Sequence, residues 1–137
     1  MGRPIRAIPA FAFLAALSII SACSSDAPVT PALSTGVKLI QNATASGLPT
    51  IAEFGAETCA SCLEMKKVLG NVARGTQGRA HVLIIDVRKD REAAQTYRIQ
   101  LIPTQVFFAP DGREIGRHMG KLSEAEVLAS LGLGTAP

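Results

Sequence analysis

The chain has 137 residues, only one Tyr and no Trp, and a net charge of +3 spread without any basic block. That length suits one domain plus a targeting segment. The absence of a basic patch with interleaved aromatics excludes nucleic-acid binding as the function.

In chain order, the first stretch, residues 1–22, reads as an export signal. Arg3 and Arg6 form a positive start with no acidic residue, Ala7 to Ile20 form an apolar run broken once by Pro9, and the small residues Ser21 and Ala22 follow. The apolar run is about 14 residues, short of the roughly 20 that a membrane span needs. Cleavage would remove both arginines, so the positive balance belongs in part to the signal. Ile20-Ser21-Ala22-Cys23 resembles the lipobox of bacterial lipoproteins. The resemblance implies cleavage before Cys23 and lipidation of its sulfur and new amine, and several acyl chains together anchor stably. It places the protein in the bacterial cell envelope, facing the periplasm. Ser24 after the cysteine implies the outer membrane in a Gram-negative cell. Residues 23–36, with "SSDAPVTPALSTG" after the cysteine, read as a flexible tether.

Residues 37–133 must then supply the whole core. Val37 to Ala45 has the make-up of a helix, ended by "SGLP", and Thr50 to Phe54 reads as a short strand. Glu57 to Arg74 has helical spacing, with Met65, Val68, Leu69, Val72 and Ala73 on one face. Ala80 to Asp86 is a near-continuous apolar run, the pattern of a strand buried on both faces. Asp90 to Tyr97 is a second helix capped by Asp90. Thr104 to Ala109 is a strand, Pro110-Asp111-Gly112 a hairpin turn, and Arg113 to Met119 the return strand. Ser123 and Glu126 form a capping-box pattern before a last helix to about Leu131. Strands alternating with helices predict an α/β fold, and the closing hairpin makes its sheet mixed.

The segment "ETCASC" holds Cys59 and Cys62 where a strand passes into a helix. A helix N-terminus offers unpaired N–H groups and the positive end of the dipole, so a thiolate is stabilised there. The helical spacing puts Cys62 on the buried face and Cys59 at the helix mouth. Cys59 is therefore expected to attack and Cys62 to resolve, the chemistry of thiol–disulfide exchange. A metal site would need further ligands, and the candidates are His81 and His118. Each reads better as an ordinary strand residue, so no metal is assigned.

"TIAEFGAETCASCLEMKKVL", "VLIIDV", "YRIQLIPTQVFFAPDGREI" and "GKLSEAEVLASL" line up in order with a thioredoxin-fold domain over about Val37 to Leu131. The chain resembles exported bacterial thioredoxin-like proteins that pair with CcdA- or DsbD-type membrane thiol transporters. The resemblance implies a cofactor-free oxidoreductase, acting as a monomer on protein thiols and disulfides. Cys59 matches the nucleophile and Cys62 the resolving cysteine. Pro103 matches the cis-proline facing them, with Ile102 offering main-chain groups to substrate. Glu53 matches the buried acid that takes the proton from Cys62. Thr58 stands where a tryptophan usually precedes the first cysteine, which leaves a substrate contact without the aromatic platform. Val82 stands where a lysine often partners the acid. The dipeptide between the cysteines, Ala60-Ser61, has no His, which favours a reductant. The alternative is a copper or cytochrome-maturation metallochaperone using the same cysteines as ligands.

Overall fold

The computed structural model describes residues 33–134. The expected signal, Cys23 and most of the tether lie outside the described residues. The elements run α1 (Thr35–Thr44), β1 (Thr50–Gly55), α2 (Ala60–Gly75), β2 (His81–Asp86), α3 (Arg91–Thr96), β3 (Thr104–Phe108), β4 (Glu114–Met119) and α4 (Glu124–Ser130). The strands form one four-stranded sheet in the order β2-β1-β3-β4. β1 runs parallel to β2 and antiparallel to β3, and β3 and β4 close the sheet as an antiparallel hairpin. This is the mixed, helix-flanked α/β sheet of the thioredoxin-like fold. Among the described residues no helix is long and apolar enough to cross a membrane.

Each face of the sheet has its own core. On one face, Ala52, Phe54, Ile85, Val106 and Phe108 pack with Val37 and Ile40 of α1 and Ala93 of α3. On the other, Ile51 and Phe107 pack with Met65, Leu69 and Val72 of α2 and with Val127 and Leu131 near α4. Alternate residues of each strand go to opposite faces, so Ile51 and Glu53 share the α2 face. Glu53 is thus the polar member of a row that is otherwise core.

Three expectations are corrected. β2 is an edge strand, not one buried on both faces: Ile84 is 45% exposed. β1, with all six residues buried, takes the interior place instead. α2 begins at Ala60, not Glu57, because Cys59 donates its N–H to the Ala56 carbonyl at 3.1 Å and closes a turn first. Ala73 is exposed, since Leu69 and Val72 already fill the helix's contact stripe.

The predicted caps form. Ser123 and Glu126 make a reciprocal capping box on α4. Asp90 caps α3 by accepting from Ala93 N at 2.9 Å, and it also accepts from Gly36 N in α1 at 2.7 Å. One carboxylate thus joins the starts of two helices on the same face. A Cβ on Gly36 would lie 2.7 Å from the Asp90 carboxylate oxygen, so the close approach requires glycine. Asp90→Ala should cost roughly 1–2 kcal/mol, because two buried-end N–H groups lose their acceptor. Asp90→Asn should lose less, since it keeps an acceptor. Urea midpoints for the two variants check this ordering.

Candidate active site

Cys59 is the N-cap of α2, in extended conformation, at the point where the chain leaves β1 and enters the helix. The N–H of Cys62 points at the Cys59 sulfur at 3.3 Å, one of the donors that a helix start leaves without an intrahelical acceptor. Cys59 and Cys62 are joined as a disulfide with Cα atoms 5.2 Å apart. Cys59 is partly exposed, whereas Cys62 is 4% exposed. The expected division between an accessible and a shielded sulfur is therefore present in the geometry. Ser61 Oγ lies 3.3 Å from the Cys59 sulfur.

Thr58 is exposed, and its hydroxyl accepts from Arg88 Nη1 at 2.8 Å. Glu57 pairs with Lys89 at 2.9 Å. The turn after β2 thereby brings two cations beside the approach to Cys59. Spacing along the sequence gave no sign of this, because Arg88 and Lys89 meet the site only through the parallel pairing of β1 with β2.

Ile102 and Pro103 sit at the same end of the sheet. The β1–β3 ladder ends with Phe54 opposite Thr104, so the next step places Pro103 level with Gly55. The Ile102–Pro103 bond is cis. Pro103 is buried, and Ile102 is 37% exposed beside Leu101, which is 61% exposed. Gly120, at φ +107°, donates its N–H to the Pro103 carbonyl at 2.8 Å and ties β4 to this turn.

Glu53 lies behind Cys62 and is 1% exposed. A Cβ built on Gly55 would stand 3.3 Å from both the Cys62 sulfur and Glu53 Oε1. The glycine therefore leaves open the space through which the carboxyl and the sulfur face each other. That space belongs to a cavity of about 230 Å³, lined among others by Glu53, Gly55, Cys62, Lys66, Ile84 and Asp86. Burial pushes the Glu53 pKa up from 4.5 to about 7, against the opposing pull of Lys66. Lys66 lies one helical turn beyond Cys62, so the charge partner of the acid comes from α2. Val82, the residue standing in the usual lysine place, lies opposite Ile51 and packs into the core. The signal that could have found Lys66 is its i+4 spacing from Cys62.

The histidines stay apart from the cysteines. His81 bonds Ser46 at the start of β2, and His118 pairs with Gln105 on β4. Among the described residues, no three His, Cys, Asp or Glu side chains gather as a metal-binding group.

The raised Glu53 pKa makes a stability prediction. Folded Glu53 holds its proton more tightly than the unfolded chain does. Between pH 4.5 and about 7 the native state therefore carries the extra proton, and stability falls as pH rises through that window. Glu53→Gln cannot ionise. It should flatten this slope and exceed the parent in stability above the window by on the order of 3 kcal/mol. Urea titrations on the acid and alkaline sides check it; parallel pH slopes for the two proteins would show that Glu53 is not the titrating group.

Comparison with known proteins agrees with this geometry. A family model described as a thioredoxin-like domain matches residues 38–134. A thioredoxin of Pseudomonas aeruginosa is 30% identical over 83 residues, covering 61% of this chain and 76% of its own. A thioredoxin of Chlamydia pneumoniae is 36% identical over 89 residues, covering 64% and 81%. Among solved structures, chloroplastic thioredoxin z superposes with a TM-score of 0.64 at 29% identity, over 71% of this chain and 87% of that one. Thioredoxin of Fasciola hepatica gives 0.59 at 26% identity, over 70% and 88%. The chain belongs to the thioredoxin-like domain family, and its Cys59–Cys62 pair makes it a thiol–disulfide oxidoreductase.

Proposed function

We propose that this oxidoreductase is a lipid-anchored reductant of protein disulfides. It is held in the bacterial cell envelope through Cys23 and works as a monomer on the periplasmic side. Electrons reach it from a CcdA- or DsbD-type membrane thiol transporter. The observation that carries the catalytic reading is the placement of Cys59 as the exposed-side N-cap of α2, with Cys62 shielded behind it. The absence of a charged residue in Ala60-Ser61 supports the reducing direction, since no cation between the cysteines stabilises the thiolate.

The reaction follows from the positions. The Cys59 thiolate attacks one sulfur of a substrate disulfide, and the other substrate sulfur leaves as a thiolate. Cys62 gives its proton to Glu53 and attacks the Cys59 sulfur. The Cys59–substrate bond breaks, the second substrate sulfur leaves with its electron pair, and the Cys59–Cys62 disulfide remains. Two electrons have passed to the substrate, and the membrane dithiol restores them. Ile102, Pro103 and Thr58 form the substrate-facing rim, with exposed Ile102 offering main-chain groups to an extended peptide.

The test is the redox equilibrium against glutathione and dithiothreitol buffers, read by thiol alkylation. The expected potential lies near the reducing end of the fold's range, about −270 mV; a value near −120 mV would make the protein a disulfide donor. In cells, Cys62→Ser should trap substrates as mixed disulfides on Cys59, because the resolving sulfur is gone. Trapped species that persist equally in Cys59→Ser would count against Cys59 as the attacking residue.

A further inference from the structure

Gln105 lies directly opposite Glu53 in the β1–β3 ladder. Opposed residues of an antiparallel pair project to the same face, and Gln105 is 0% exposed. Its amide orientation is fixed. Nε2 donates to the Gly120 carbonyl at 3.1 Å, and a flipped amide would set two acceptors against each other. Oε1 is therefore the free end, and it is buried without a donor. Glu53 Oε2 is likewise buried without a partner.

Two orphaned acceptors on facing residues have one common remedy. An ionised Glu53 can only accept, so it leaves both unsatisfied. A protonated Glu53 carries one O–H, and a single hydrogen bond from it to Gln105 Oε1 satisfies both oxygens. We propose that Gln105 is a positioning residue that holds the proton on Glu53, receiving the Glu53 O–H at the moment Cys62 gives up its proton. The inference rests on the proton-transfer reading of Glu53 given above. In that step the Cys62 S–H bond breaks, the Glu53 O–H bond forms, and the electron pair stays on the sulfur that attacks Cys59. The proton later returns to solvent through the cavity beside Glu53.

The other groups around Glu53 set the balance. From α2, Lys66 favours the anion. Glu57 after β1 and Asp86 at the end of β2 line the same cavity, but Glu57 is paired with Lys89 and Asp86 accepts from the N–H groups of Arg88 and Lys89. From β4, His118 stands on the far side of Gln105 in the same cross-strand row. Gln105 is the group whose free acceptor favours the acid form.

The test follows the carboxyl ¹³C shift of Glu53 against pH in the reduced full chain. Gln105→Met replaces the amide by an apolar chain of similar length. It should lower the Glu53 midpoint by roughly half to one pH unit, the weight of one neutral hydrogen bond. The pH–rate profile of Cys62 attack on a mixed disulfide should move down with it. An unchanged or higher midpoint overturns the proposal. Gln105→Leu is the second variant should Met not fold there. The unaltered protein gives an independent readout: the Gln105 side-chain carbonyl shift should titrate with the Glu53 midpoint, and a flat signal overturns the hydrogen bond. The two readings fail separately. An unchanged resolution rate in Glu53→Gln would remove Glu53 from the mechanism while the Gln105 midpoint shift stood; a flat Gln105 response would remove the hydrogen bond while Glu53 kept its role.

Discussion

Glu53 lies on β1, an interior strand of the sheet, with β2 on one side, β3 on the other and α2 over its face. A carboxylate in such a place loses the water that would solvate its charge, and the usual outcome is that it binds a proton instead. Much of the site can be understood as accommodation of this one group. Gly55 leaves room between it and Cys62. Lys66 supplies an opposing charge from the helix. A cavity of about 230 Å³ lies beside it. The result is a group whose proton affinity lies near neutrality, where it can both accept and release.

The same sheet settles why the two cysteines differ. β1 delivers the chain to the start of α2 at Cys59, and the helix axis then carries Cys62 inward over the row that holds Glu53. The cysteines are one turn apart on one helix, yet one sulfur stands at the rim and the other against the sheet. On the rim side, the turn after β2 and the turn before β3 converge. Arg88 reaches Thr58, and Gly120 secures Pro103. These ties come from segments outside the helix that carries the sulfur.

Local patterns in the sequence were legible wherever a short-range contact decides the structure. Asp90 and the Ser123–Glu126 box announced their helices because a cap is made within a few residues. The strand-to-helix position of Cys59 was legible for the same reason. Long-range order was not. The apolar run of β2 looks the same whether it lies inside the sheet or at its edge, and only the strand order decides. Gln105 could not be seen as a neighbour of Glu53 without the register that sets it opposite, whereas Lys66 left a local trace in its i+4 spacing from Cys62 and needed only the helix placement to bring it to the same cavity. Gly55 likewise reads as an unremarkable strand end until a side chain is built there and meets both reacting groups.

The two sulfurs stand in different surroundings. Cys59 receives a helix-start N–H and is partly open to solvent, the setting in which a helix N-terminus favours a thiolate. Cys62 also lies in the first turn of α2, but it is 4% exposed, and burial disfavours the charged form of a thiol. A carboxyl of ordinary acidity, near 4.5, would take a proton poorly from a thiol whose free value is about 8.5. Raising the acceptor to about 7 narrows that gap without closing off release of the proton afterwards. A buried acid between two orphaned demands, the sulfur on one side and the Gln105 oxygen on the other, is therefore suited to passing a proton in one direction during attack and returning it to solvent once the disulfide has formed.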